Sequence, residues 1–111
     1  MWEFKRNILK SSQDEVSVVS FSHYFTTANS SSSTTACSLN VFNMTLYSPE
    51  SALVDSVGTI IAVDQRLYTN SSLTSLFNGG NFYYHYYSSE VNGTAIRIAS
   101  SGVMVSSVSC G

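Results

Sequence analysis

The residues with chemistry to offer are few, and most of them sit on strand-like stretches. In Phe82-Tyr83-Tyr84-His85-Tyr86-Tyr87, side chains alternate. Phe82, Tyr84 and Tyr86 share one face, and Tyr83, His85 and Tyr87 the other. Such a face can line a pocket in which apolar contact holds a ligand and phenol hydroxyls orient it. The same pattern also suits a structural strand, with one face in the core and the other forming a cross-strand aromatic ladder. Asp64 and Arg66 follow an apolar run and stand two residues apart on one face. At a cavity mouth Arg66 would grip an anionic group. As an exposed strand-end pair the two would contribute little. Arg97, between Ile96 and Ile98, is open to the same two readings. The candidate ligand-binding residues are therefore Asp64, Arg66, Phe82, Tyr84 and Tyr86.

His23 and His85 are the only histidines. General acid–base work would need them close together, with Asp64 beside one of them. A lone strand histidine is ordinarily a satisfied structural residue. There is no nucleophile elbow, P-loop, HExxH or CxxC. Serines abound, but a nucleophile needs a base and an orienting group. The residues favour a protein that does not catalyse, with no cofactor. No metal site is expected, because paired Cys or His spacing is absent.

These residues must be positioned by strands. Val16–Thr27 alternates, with Val19, Phe21, His23 and Phe25 on one face. A Ser/Thr-rich surface loop follows over 28–35. Ser38–Tyr47 predicts a second strand, ended by Pro49. Residues 57–68 predict a third, apolar on both faces through Val63, as in a covered central strand. Residues 79–99 carry the strongest local signal. An aromatic strand, a polar turn ending in Asn92-Gly93 and the β-branched run Thr94–Ala99 read as a hairpin. Val103–Ser109 predicts a last strand. Six or seven strands with no helix predict an all-β antiparallel β-barrel, with a β-sandwich as the alternative.

The 111 residues suffice for one domain, 16–111, preceded by residues 1–15 as an N-terminal arm or short amphipathic helix. Only 11% of residues are charged, where about 25% is usual. Half of those charges lie in the first fifteen residues. Net charge is −2 with no basic patch, so nucleic acid is not an expected partner. No apolar run is long enough for a transmembrane segment. Residues 1–10 lack the long apolar stretch of a signal peptide.

Cys37 and Cys110 are the only cysteines. They fit either a disulfide closing a loop of roughly 70 residues or two buried thiols. The low charge and high Ser/Thr content look extracellular, which weighs for the bond. Four sequons occur, at Asn29, Asn43, Asn70 and Asn92. Asn29, Asn70 and Asn92 fall in predicted loops or turns and are the candidate glycosylation sites. Asn43 falls in a predicted strand and is the least suited.

Two stretches resemble the dirigent proteins and the related allene oxide cyclase barrels. Val57-Gly58-Thr59-Ile60-Ile61-Ala62-Val63-Asp64-Gln65-Arg66-Leu67 is similar to their glycine, β-branched run, acidic residue and leucine. Phe82–Tyr86 with Asn92-Gly93-Thr94-Ala95-Ile96-Arg97-Ile98 is similar to their later aromatic strand, turn and apolar strand. Gln65 and Arg66 stand where the family has a second acid and a proline. The resemblance implies an eight-stranded antiparallel barrel with an apolar cavity that orients a reactive phenolic or fatty ligand, and Asp64 is the pocket acid it carries over. It also implies secretion, glycosylation and a tendency to form homo-oligomers.

Three functions follow from these readings. The first is a small-molecule-binding barrel that orients an apolar or phenolic ligand without strong catalysis. The second is a non-catalytic surface, adhesion or structural β-module. The third is a cyclase or isomerase. The expected location is extracellular or the secretory pathway.

Overall fold

The structure, a computed structural model, describes residues 19–61, 65–87 and 93–111. Alternating side chains produce five strands: β1 (Phe21–Phe25), β2 (Met44–Ser48), β3 (Phe82–Tyr86), β4 (Thr94–Ile98) and β5 (Met104–Ser109). A one-turn helix, α1 (Ser33–Cys37), lies between β1 and β2. All strand pairs are antiparallel, and the sheet order is β2-β1-β3-β4-β5.

The predicted hairpin is β3 and β4, the centre of the sheet. Tyr84 stands opposite Ile96 and Tyr86 opposite Thr94. Two glycines permit the approach of neighbouring groups. Gly93 has φ +89°, and a Cβ there would come 2.2 Å from His85 Nε2. A Cβ on Gly79 would come 2.3 Å from the Ile98 carbonyl oxygen. The first strand is shorter than predicted, running from Phe21 to Phe25; His23 and Phe25 of its predicted face are buried, Val19 and Phe21 are exposed, and residues 16–18 lie outside the described residues.

The sheet has two differently covered faces. On the inner face Phe25, Leu46, Tyr84, Ile96, Ile98 and Met104 form the core. Leu53, Val54, Ile60 and Leu67 close over them from the long connection between β2 and β3. On the outer face, α1 and the chain after it lie against β3 and β4. Ala36 and Ala95 are fully buried.

The protein is thus all-β and antiparallel, but its sheet is open. The edge strands β2 and β5 do not pair with each other. The chain at 65–68 reaches both edges through single bridges, Tyr47 with Tyr68 and Arg66 with Val103. Tyr47 and Tyr68 exchange two backbone hydrogen bonds of 2.8 Å, while Leu67 donates to Gly102 over 2.8 Å.

Three sequence expectations change. The third strand, predicted over 57–68, is not a central strand in its described residues, 57–61 and 65–68. Asp55 Oδ1 accepts from the backbone of Val57 and Thr59, and Gly58 has φ +85°, so the chain loops where a ladder was expected. Val57 and Ile61 are 64% and 58% exposed, so apolar residues on both faces did not mean cover on both faces. The second strand begins at Met44, and residues 38–43 are irregular. The 28–35 loop contains the start of α1, because Ser32 Oγ accepts from the Thr35 N–H as an N-cap. The arm at 1–15 lies outside the described residues.

Cys37 and Cys110 form a disulfide, with Cα atoms 5.4 Å apart, so the choice between a bond and two thiols is resolved. The bond ties α1 to the end of β5 across 73 positions. Closing a loop of that length restricts the unfolded chain. The paired Cys37→Ala/Cys110→Ala variant is expected to lose about 4 kcal/mol of stability, read from guanidinium denaturation midpoints.

Candidate functional site

The aromatic strand divides as its alternation requires. Tyr84 is 5% exposed and sits in the core, its ring edge-on to Phe77 at 5.4 Å. Its hydroxyl donates to the Gly79 carbonyl over 3.1 Å and accepts from Asn29 Nδ2 over 3.0 Å. Tyr86 packs against Phe25 at 5.0 Å and meets the edge of His23 at 6.1 Å. Burial pushes its phenol above the usual value of 10. Phe82, on the same face, is 40% exposed at the start of β3.

The charged candidates stand apart from these rings. Arg66 is exposed on the bridging chain opposite Val103. Asp64 lies outside the described residues. Arg97 faces away from the core, and its Nε donates to the Asn81 carbonyl over 3.4 Å.

The two histidines serve opposite faces. His23 is buried on the inner face, where Nε2 lies 3.1 Å from the Glu50 carbonyl and 2.9 Å from Ser48 Oγ. A carbonyl only accepts, so Nε2 carries the proton. Burial holds the His23 pKa below the usual 6.5, and the Glu50 carbonyl offsets this in part. His85 is buried beneath the outer layer, its Nδ1–H donating to the Leu39 carbonyl over 2.6 Å. Phe42 packs edge-on to His85 at 4.8 Å and to Tyr87 at 5.5 Å. Both imidazoles thus join segments distant in sequence.

An open cleft of about 340 Å³ lies on the outer side, lined by Thr26, Thr27, Leu39, Asn40, Val41 and Asn43, among others. Arg66, Phe82, Tyr84 and Tyr86 do not line it. Its walls are hydroxyls, carboxamides and the aliphatic side chains of Ala28, Leu39 and Val41, with no ionisable group. Sequence reasoning missed it because its residues form no motif; the signal available was the sequon at Asn43. Among the described residues no cluster of three or more His, Cys, Asp or Glu is placed to hold a metal, and no helix is long and apolar enough to cross a membrane.

The candidate sequons differ in their hydrogen bonding. Asn70 is enclosed by its own turn. Its Nδ2 donates to Ser72 Oγ at 2.9 Å and Thr74 Oγ1 at 2.7 Å, and its Oδ1 accepts from the backbone of Thr74 and Ser75. Asn29 turns its amide toward Tyr84. Asn92 lies outside the described residues. Asn43 is exposed, just before β2, and its Oδ1 accepts from Thr27 Oγ1.

Two outcomes test these assignments. Tyr84→Phe removes both hydroxyl bonds and leaves two partners short, so it is expected to cost about 1–2 kcal/mol in urea denaturation. His23 resists protonation in the folded state, so the unfolded chain takes up the proton first. Its contribution is complete above about pH 6.5 and is lost as pH falls toward the depressed folded value. A thermal-melt series from pH 7.5 to about 5 should therefore slope less for His23→Gln than for the parent chain.

Compared with models of protein families, with curated proteins and with solved structures, the chain matches none.

Proposed function

We propose that this chain is a non-catalytic, disulfide-stabilised extracellular β-module that acts through its surface. The observation that carries this reading is the position of Tyr84 and Tyr86. In a ligand-orienting barrel those rings would line a void. Here they pack against Phe25 and Phe77, and the Tyr84 hydroxyl is committed to Gly79 and Asn29. A phenolic ligand could reach that position only by displacing core side chains, which would cost several kcal/mol.

The opposite face of the sheet supports a surface role. Tyr24 and Tyr87, joined by a backbone hydrogen bond of 2.9 Å, are 49% and 54% exposed. Tyrosine presents a large, rigid area with a polar tip, a combination enriched in contact surfaces. The extracellular reading is supported by the disulfide and by the low charge. In this reading the open sheet, spanned at one end by residues 65–68, is a partly closed barrel whose interior is core.

The resemblance to dirigent proteins and allene oxide cyclases supplies the competing outcome. In a backbone NMR titration with 4-methylphenol, shifts are expected only around the exposed Tyr24 and Tyr87. Saturable shifts centred on Tyr84, Tyr86 and Ile96 would instead favour a small-molecule-binding barrel and overturn the surface-module reading.

A further inference from the structure

We infer that Asn43 carries an N-linked glycan whose first sugar sits in the adjoining cleft. The proposal rests on the extracellular reading above and goes beyond it in naming the site.

The candidate amides differ in how far their hydrogen bonds are already committed. A sugar joined to Asn Nδ2 replaces one of its two hydrogens. Asn70 uses its Nδ2 for both Ser72 and Thr74, so a glycan there would sacrifice a bond that shapes the 69–75 turn. Asn29 points its Nδ2 at the Tyr84 hydroxyl, which is itself buried in the core. Asn43 is different. Its side-chain oxygen takes the hydrogen bond from Thr27, and its amide nitrogen has no partner among the described residues. A sugar on that nitrogen breaks nothing.

The position is equally permissive. Asn43 precedes the edge strand β2 and is exposed. The sequence pattern placed it inside a strand; the structure places it in the irregular stretch before one.

The cleft adjoins this asparagine. Asn43 is part of its lining, with Thr27, Ser38, Leu39, Asn40 and Val41. A pyranose has C–H groups on its faces and hydroxyls around its rim. Leu39 and Val41 supply the apolar contact, and Thr27, Ser38 and Asn40 supply uncharged hydrogen-bonding groups. Val41 is 63% exposed, and a sugar lying in the cleft would cover it.

The test uses the full chain behind a cleavable leader in a eukaryotic secretory host, with intact mass measured before and after peptide N-glycosidase. Asn43→Gln and Thr45→Ala remove the same sequon in different ways, so a folding defect in one does not obscure the result. Each is expected to lose one glycan unit, while Asn70→Gln keeps the parent's glycan mass. Amide exchange over 26–28 and 38–43 should be faster in Thr45→Ala than in the glycosylated parent, with exchange elsewhere unchanged. Glycans present on other sites but unaffected by both variants would overturn the assignment and leave the extracellular reading standing. A chain secreted with no glycan at all would overturn the assignment and count against that reading too. A glycan at Asn43 with unchanged exchange around the cleft would overturn its seating there.

Discussion

The structure depends on one packing arrangement, the inner face of the central strand β3 against the strands on either side. Tyr84 faces Ile96 across the hairpin, and Phe25 of β1 stands opposite Tyr86. These side chains give the sheet a large apolar surface that must be covered. The cover comes from a segment with almost no regular structure. Between β2 and β3 the chain brings Leu53, Val54, Ile60 and Leu67 over the sheet, and its described residues form only isolated bridges. Such a segment is held in place by the core it seals. The Tyr84 hydroxyl extends that hold, because its acceptor, Gly79, belongs to the chain entering β3 and its donor, Asn29, to the chain leaving β1.

An irregular chain that seals a core lacks ladder partners and must satisfy its backbone polar groups in other ways. Here short side chains do so. Asp55 takes two backbone N–H groups, Asn70 takes two more, and Ser107 Oγ donates to the Gly58 carbonyl and accepts from the Ile60 N–H. Thr26 Oγ1 accepts from the backbone of His85 and donates to the Ala28 carbonyl. The abundance of Ser, Thr and Asn thus has a structural role in addition to wetting the surface: these residues replace ladder hydrogen bonds where the strands stop.

The hairpin was legible because three signals agreed there: alternation, β-branched and aromatic residues, and a glycine at the turn. The inner side of β3, and of β1 at His23 and Phe25, followed from alternation alone, although Phe21 on the same side of β1 is exposed. Residues 57–68 misled because a run such as Thr59-Ile60-Ile61 scores as a strand whichever side its neighbours lie on. Asp55, four residues upstream of Thr59, captured the backbone instead, and a local competitor of this kind leaves no periodic trace. The helix was invisible because Ser, Thr and Cys are weak helix formers and a single Ala among five residues does not offset them. Docking of Ala36 and the disulfide at Cys37 supply what propensity lacks. The aromatic run gave the faces of the strand correctly, but alternation is the same for a face that fills a core and for one that lines a pocket.

That ambiguity has a physical resolution in the other layer. If the inner face is the core, whatever the protein meets must be met from outside. There the described chain offers hydroxyls, carboxamides, tyrosines and scattered valines with few charges. Val41, Val105 and Val108 are all more than two-fifths exposed, and net charge is only −2. A surface so weakly charged has little electrostatic repulsion to keep copies apart. Cover, from a partner or from attached polar mass, would offset that. Cover can be fixed only where an attachment costs the fold no hydrogen bond. Among the described sequons, the amides of Asn29 and Asn70 are engaged by the groups they organise, whereas Asn43, at the rim of the outer cleft, uses only its side-chain oxygen, so an attachment to its nitrogen would loosen nothing beneath it.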